Sequence, residues 1–504
     1  MTADEVATGQ GFDGTPLVIW LDEIAIGDTA IAGHKSVNLS RVRAMAEVAT
    51  MTLAEPAGPG QPDHSTIAVP DGFVVTTRAS SELLKAEGLR GELDRLGAQH
   101  LSGAISARGY SDAARGLVAE ASVPGELRSA ISKAYDRLSL SSGVGELVVA
   151  VRSSAAMEDS IGASFAGQFD SVLGVRTIDE LFQAYLKVIA SSLSLRALSY
   201  RKAVSGQLGR PGRLERPGDL VRSVSEMSVL VQRMVRSDRG SAGVVMTSVA
   251  DPEEPHISEP VTVLEVVPGT GEGVVGGATN PESLVVRLAD NTVTRTPSSP
   301  PESVSILADA IALELAGWGR LLEVEFGSPV QIEWARDGVT GELAVVQVRP
   351  IPDPTEAVGL EHSRSTVELK SGLKVLTRGL AIGSGVVSGP AVVVDDPLDL
   401  LAGDEVDHLP EQFILVVATT SPEWVPLMRL ASALVTDYGG RGSHAAIVCR
   451  ELALPAVLGC GDATNLLRTE KPQLDGDRAV QPEDRAFRPV VVICDERAGG
   501  EVWG

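Results

Sequence analysis

Residues Leu434 to Leu458 read LVTDYGGRGSHAAIVCRELALPAVL: a β-like start, a turn at Gly439-Gly440, then a helical run ended by Pro455. Ser443 is a favourable N-cap, which predicts His444 as the first helical residue, with Ala445, Ala446, Ile447, Val448 and Leu452 on the apolar side. An imidazole there lies beside the unsatisfied backbone N–H groups and positive dipole end of a helix, a setting that suits an anionic group. Glycines at 439 and 440 let the backbone approach such a group closely. A neutral imidazole near pH 7 is also a competent nucleophile. One histidine at a capped helix start is most often only structural, so the rest of the chain has to decide.

The N-terminal half mixes β-rich runs (Pro16 to Leu21, Val69 to Thr76, Glu146 to Val151) with helical stretches at Ser80 to Leu96 and Ile178 to Ala203. The fold class expected is therefore α/β or α+β. Leu53 to Thr66 and the basic Ser205 to Gly218 stretch, both punctuated by Gly and Pro, read as exposed connections. A β-rich block runs from Ser228 to Arg349, interrupted by one helical stretch at Val304 to Leu322. Pro350 to Pro354 and the polar Thr355 to Leu373 stretch read as a linker, after which GLAIGSGVVSGPAVVV opens a new glycine-rich unit. The domains expected are 1–225, 226–352, a hinge at 353–374, and 375–504. No repeat period of about 20 to 50 residues is visible.

Composition narrows the partners. With 43 Lys+Arg against 67 Asp+Glu, the formal net charge is -24, a field that repels nucleic acid and anionic membranes. Cys449, Cys460 and Cys494 have no C-x-x-C spacing, which argues against a disulfide framework or a zinc ribbon. No apolar run approaches the roughly 20 residues of a membrane span, and the acidic start MTADEVATGQGFDG is unlike a signal peptide. A cytoplasmic location is the expectation. Gly271, Gly273 and Gly276 satisfy G-x-G-x-x-G, but Asn280-Pro281 leaves no room for the helix that a dinucleotide site needs. His34, His64, His100, His256, His362 and His408 lack metal-like spacing and read as surface or loop residues.

Thr436, Gly439, Gly440, Ser443, His444 and Ala445 reproduce T-x-x-G-G-x-x-S-H-A, and VCREL followed by ALPAVLG continues the match. This resembles the phosphohistidine swivelling domain of the phosphoenolpyruvate synthase, pyruvate phosphate dikinase and rifampicin phosphotransferase family. The first 350 residues resemble that family's ATP-grasp-type nucleotide-binding domain in four islands. These are Gly33 to Leu39 (GHKSVNL), Val69 to Thr77 (VPDGFVVTT), Val151 to Ala155 with Glu158-Asp159 and Ser164 to Gln168, and the IEW and QVRP strands around Glu333 and Gln347.

Residue type suggests the roles. Lys35 and Arg152 can neutralise triphosphate oxygens, and the small-residue loop Gly162 to Ser171 can offer backbone N–H groups. Glu333 and Gln347 supply hard oxygen ligands suited to Mg²⁺. Arg349, two residues beyond Gln347 on an expected strand, points to the same face. The resemblance adds Gly167 and Ser171 near the phosphates, Gln232 near the nucleotide base, and Glu272 beside the site. Two departures stand out: Gly33-His34-Lys35 replaces the usual Gly-Gly-Lys, and Leu53 to Thr66 lengthens a normally short connection. The match also ends without the family's pyruvate-binding barrel or a long acceptor domain.

What the resemblance implies is a dikinase: ATP with Mg²⁺ phosphorylates His444, AMP and phosphate leave, and the phosphoryl group passes to an acceptor such as pyruvate or another small molecule. The alternative is an autophosphorylating phosphocarrier or regulatory nucleotide-binding protein that works with a separate acceptor subunit.

Overall fold

A computed structural model describes residues 14–52, 67–142, 146–156, 169–198, 217–249, 260–271, 281–295, 306–351, 373–397, 400, 409–469, 487–495 and 499–504. Helices and strands are mixed throughout the described residues, so the expected mixed α/β class is what the sequence adopts. Two compact units emerge. The first holds the described residues up to Val235 together with Ala344–Arg349, and the second holds those from Arg236 to Leu343 and from Pro350 to Gly504.

In the first unit the order is β1 (Val18–Trp20), α1 (Thr29–Thr52), β2 (Gly72–Val75), α2 (Thr77–Lys85), α3 (Leu89–Leu101), α4 (Ala107–Ala119) and α5 (Gly125–Ser142). There follow β3 (Val149–Ala155), β4 (Ser171–Val175), α6 (Ile178–Ser191), α7 (Pro217–Ser225) and β5 (Met227–Arg233). The strands form one sheet in the order β1-β2-β5-β3-β4. α6 opens on a capping box, with Thr177 Oγ1 accepting from Glu180 N and Glu180 Oε2 accepting from Thr177 N, and it buries Leu181, Tyr185, Val188 and Ile189. The single helical stretch expected over Ser80 to Leu96 is instead α2 and α3, because Gly88 sits at φ 74° and breaks the run. α4 and α5 were not expected from the sequence. Tyr110, Ala114 and Val118, four residues apart, form the buried face of α4.

Gly33 marks a kink within α1 at φ 75°, and a Cβ there would collide with the Ser154 carbonyl. Only glycine fits. His34, where the family's second glycine would be, needs no such freedom: among the described residues the non-glycines at positive φ are Ser248, Asn291 and Ala453.

The second unit begins with β6 (Ser241–Val249), β7 (Val261–Pro268), β8 (Glu282–Arg287), β9 (Thr292–Arg295), α8 (Asp309–Phe326) and β10 (Val330–Arg336). These strands run antiparallel in the order β10-β6-β7-β8-β9. α8 covers one face, where Gly319 lets it approach Val245, Thr247 and Ile332. The opposite face carries Val244, Met246, Val261, Val263, Val267 and Val285. β11 (Leu343–Pro350) contributes its Ala344–Arg349 stretch to the first unit, through Val345 N to Ala68 O and Asn38 Nδ2 to Val348 O.

Next come β12 (Val375–Ile382), β13 (Gly385–Val393), β14 (Ile414–Val417), α9 (Val425–Leu430), β15 (Ala433–Thr436) and α10 (His444–Leu452). The chain then runs through β16 (Ala456–Leu458), α11 (Ala463–Leu467), β17 (Arg488–Asp495) and β18 (Gly499–Trp503). The strands close a barrel in the order β12-β16-β15-β14-β13-β17-β18, around Ile414, Val416, Val435, Val457, Val492 and Val502. β13, β14, β15 and β16 pair in parallel, which places α10 as the crossover between β15 and β16. No described helix is long and apolar enough to cross a membrane.

Candidate functional site

His444 is the first residue of α10, as its sequence predicts. Ser443 caps the helix at φ -68° and ψ 158°, its Oγ accepting from Ala446 N at 3.4 Å and donating to Gly440 O at 2.8 Å. The helix ends at Leu452, three residues before Pro455, because Ala453 takes the left-handed conformation at φ 50°. The imidazole is only 4% exposed, and Thr420 Oγ1 lies 3.1 Å from its Nδ1. Thr436 Oγ1 donates to Tyr438 O at 2.7 Å, which ties the loop to β15. Gly439 sits at φ 131°, so its glycine is a backbone requirement.

Gly440 has a different reason. A Cβ on it would overlap the carboxylate of Glu265, a β7 residue that accepts hydrogen bonds from Arg441 N and, at 2.9 Å, from Gly442 N. Gly442 in turn abuts Val244. Arg450 Nη1 donates to Arg441 O at 2.9 Å. Glu265 is 2% exposed, and burial pushes its carboxyl above the usual range, opposed by the Gly442 and Arg441 amides and by the positive charges of Arg441 and Arg450. Sequence reasoning passed over Glu265 and Thr420. The one available signal was a lone carboxylate within the apolar run VTVLEVV; nothing in the sequence pointed to Thr420.

In the first unit, Lys35, Arg152 and Gln347 come together. Lys35 Nζ donates to Ser153 O at 3.0 Å, next in sequence to Arg152. Arg152 on β3 donates to Val346 O at 2.7 Å and to Gln347 Oε1 at 2.8 Å. Arg349 is 6% exposed and shares the Gln347 face of its strand by alternation. Ser171 is the cross-strand partner of Arg152, and Gln232 that of Ala150, so all three share one sheet face. Gln232 Nε2 donates to Pro70 O at 3.0 Å. Gly167, Glu158, Asp159 and Glu272, and residues 353–372 of the expected 353–374 hinge, lie outside the described residues.

Glu333 is half-buried on β10 of the second unit. Among the described residues no group of three or more His, Cys, Asp or Glu side chains could cage a metal. A Mg²⁺ held by one carboxylate, one amide oxygen and substrate phosphates needs no such cage, so this donor chemistry fits it. His34 and His100 are half-buried helical residues, not the surface or loop residues expected; His100 stacks on Tyr110 with centroids 5.5 Å apart.

Residues 29–304 and 289–363 match the pyruvate phosphate dikinase AMP/ATP-binding domain. The chain belongs to that family. The barrel segment carrying His444 matches, over residues 409–479, the mobile domain of PEP-utilising enzymes. Among curated relatives, the chain is 33% identical over 488 residues to a phosphoenolpyruvate synthase of Pseudomonas aeruginosa, covering 90% of this chain and 55% of that protein. It is likewise 33% identical over 485 residues to the Escherichia coli phosphoenolpyruvate synthase, covering 90% and 55%. Against the Aquifex aeolicus phosphoenolpyruvate synthase the identity is 32% over 494 residues, covering 90% and 53%. The chain thus spans about half the length of the curated relatives it matches.

Proposed function

We propose that this chain carries the ATP half of a dikinase reaction: His444 takes the terminal two phosphates of ATP with release of AMP, and hydrolysis of the outer phosphoryl group then releases phosphate and leaves phospho-His444. The observation that carries this reading is His444 itself, a buried imidazole at the capped start of α10, in a segment that matches the mobile domain of PEP-utilising enzymes. With Nδ1–H donating to Thr420 Oγ1, Nε2 keeps its lone pair for attack on phosphorus. The amino end of α10 favours the negative charge that arrives there. Lys35, Arg152 and Arg349, with Gly167 and Ser171 of the phosphate loop, are the proposed triphosphate-binding groups, and Gln232 lies toward the base. Phosphoryl transfer asks a protein mainly for positioning and charge neutralisation, which this set supplies. Glu333 and Gln347 are the proposed Mg²⁺ ligands; the bound metal would neutralise charge on the phosphate oxygens.

In this reading the first unit and the sheet β10-β6-β7-β8-β9 make up an ATP-grasp-type nucleotide-binding region. The barrel is the phosphohistidine domain that swivels, with 353–374 as its hinge. The relatives' printed name suggests pyruvate as the acceptor of the whole protein's reaction. Chromatography of nucleotide products tests the proposal. AMP formed with Mg²⁺ and ATP, and lost in both His444→Ala and Glu333→Ala, is the expected result; ADP as the sole product, or turnover intact in His444→Ala, overturns it.

A further inference from the structure

Glu265 lies in β7, an interior strand flanked by β6 and β8, on the face otherwise formed by Val244, Met246, Val261, Val263 and Val267. Its cross-strand neighbours are Val244 and Ser283. A valine at this position would simply extend the apolar face. A buried carboxylate is costly unless hydrogen bonds satisfy it, and here the bonds come from the backbone N–H groups of Arg441 and Gly442, with Arg441 and Arg450 supplying positive charge nearby. Those amides belong to the loop that leads into His444. Gly440 and Gly442 carry no side chain where the loop meets Glu265 and Val244, so the fit depends on both partners. β7 falls in the segment matching the AMP/ATP-binding domain, and the loop falls in the segment matching the mobile domain.

We propose that Glu265 is a positioning residue for phosphorylation of His444: its carboxylate anchors the Arg441–Gly442 backbone and so fixes where the imidazole stands when it meets the nucleotide. The proposal rests on the phosphohistidine reading above. It assigns Glu265 no contact with the reacting atoms. A carboxylate accepts two N–H groups with its two oxygens, whereas Glu265→Gln turns an amide NH₂ toward one of them, and Glu265→Val removes both acceptors while keeping the face apolar. Replacing a buried charge by an apolar residue is often tolerated by the fold, which keeps the second variant informative if the first fails to fold.

The experiment uses the full 504-residue chain. Hydrogen–deuterium exchange is followed over the peptide from Tyr438 to Ala446, alongside the rate of acid-labile adduct formation with Mg²⁺ and ATP. Glu265→Val is expected to exchange both the Arg441 and Gly442 amides at least about tenfold faster, the cost of roughly 1.4 kcal/mol of lost protection, and Glu265→Gln whichever of the two its NH₂ faces. Adduct formation at saturating ATP should slow by a similar factor, while the half-saturating ATP concentration stays within about twofold, since the nucleotide's own contacts are untouched. Unchanged exchange overturns the proposal, as does adduct formation at the wild-type rate. Should the wild type itself form no adduct, the phosphohistidine reading fails separately, and the exchange result alone decides whether Glu265 anchors the loop.

Discussion

Thr420 is the residue on which the chemistry of His444 turns most directly. Its hydroxyl lies 3.1 Å from Nδ1, and where it accepts from Nδ1–H the Nε2 lone pair stays available to phosphorus. Thr420→Val keeps the shape and removes the hydroxyl, so phosphorylation of His444 is expected to slow about fivefold, the equivalent of one lost hydrogen bond of roughly 1 kcal/mol, with ATP affinity unchanged. Single-turnover adduct formation measures this; a rate equal to wild type would remove Thr420 from the mechanism. The thiols behave oppositely to activated nucleophiles. Burial pushes Cys460 up to about 12, a shift reduced by its hydrogen bond with Thr377, and burial also raises Cys449. At pH 8 a thiol near 12 is ionised to roughly one part in ten thousand. Native protein should therefore resist iodoacetamide at Cys460 and Cys449 and become reactive only on unfolding, as mass spectrometry of alkylated peptides would report. His444, Lys35, Arg152 and Gln347 were readable as candidates in the sequence because local motifs carry them. Glu265 was not, because its partner Arg441 lies 176 residues away and no local pattern encodes that pairing.

Among the elements, α1 shows how a short motif becomes geometry. The kink at Gly33 brings the helix against β3, where Ser36 N and Oγ meet Ser154 Oγ and Lys35 reaches Ser153 O. Gly33→Ala would force a Cβ into the Ser154 carbonyl at positive φ, so a destabilisation of about 2 kcal/mol or more is expected. Denaturant unfolding with unchanged slope would verify it; wild-type stability would show that the helix can shift away. His34→Gly, by contrast, relieves no strain, because His34 keeps an ordinary backbone conformation. The same physics explains which elements could be read in advance. α10 was legible from its N-cap and apolar spacing. The split between α2 and α3 turned on Gly88 adopting the left-handed conformation, which a glycine permits but does not demand. Closure of the barrel by β12 pairing with β18 joins Val375 to Trp503, a register set by tertiary packing and invisible to local periodicity.

For the molecule as a whole, the assignment of Ala344–Arg349 to the first unit matters more than any single strand. It carries Gln347 and Arg349 into the company of Arg152 and Lys35, a long-range arrangement that strand alternation alone could not supply. Nucleotide binding there should stabilise the fold by mass action, by about 2.7 kcal/mol when Mg·ATP is at a hundred times its dissociation constant. Calorimetry should record that upward shift for the wild type and its loss in Arg152→Ala. An equal shift in the variant would place the triphosphate elsewhere.

In the proposed mechanism His444 receives phosphoryl groups from ATP. Intact-protein mass spectrometry after incubation with Mg²⁺ and ATP, with His444→Ala alongside, tests it most directly. An acid-labile phosphoryl or pyrophosphoryl adduct on the wild type, absent from His444→Ala, is the predicted result; an adduct that persists in His444→Ala, or none on the wild type, would contradict it.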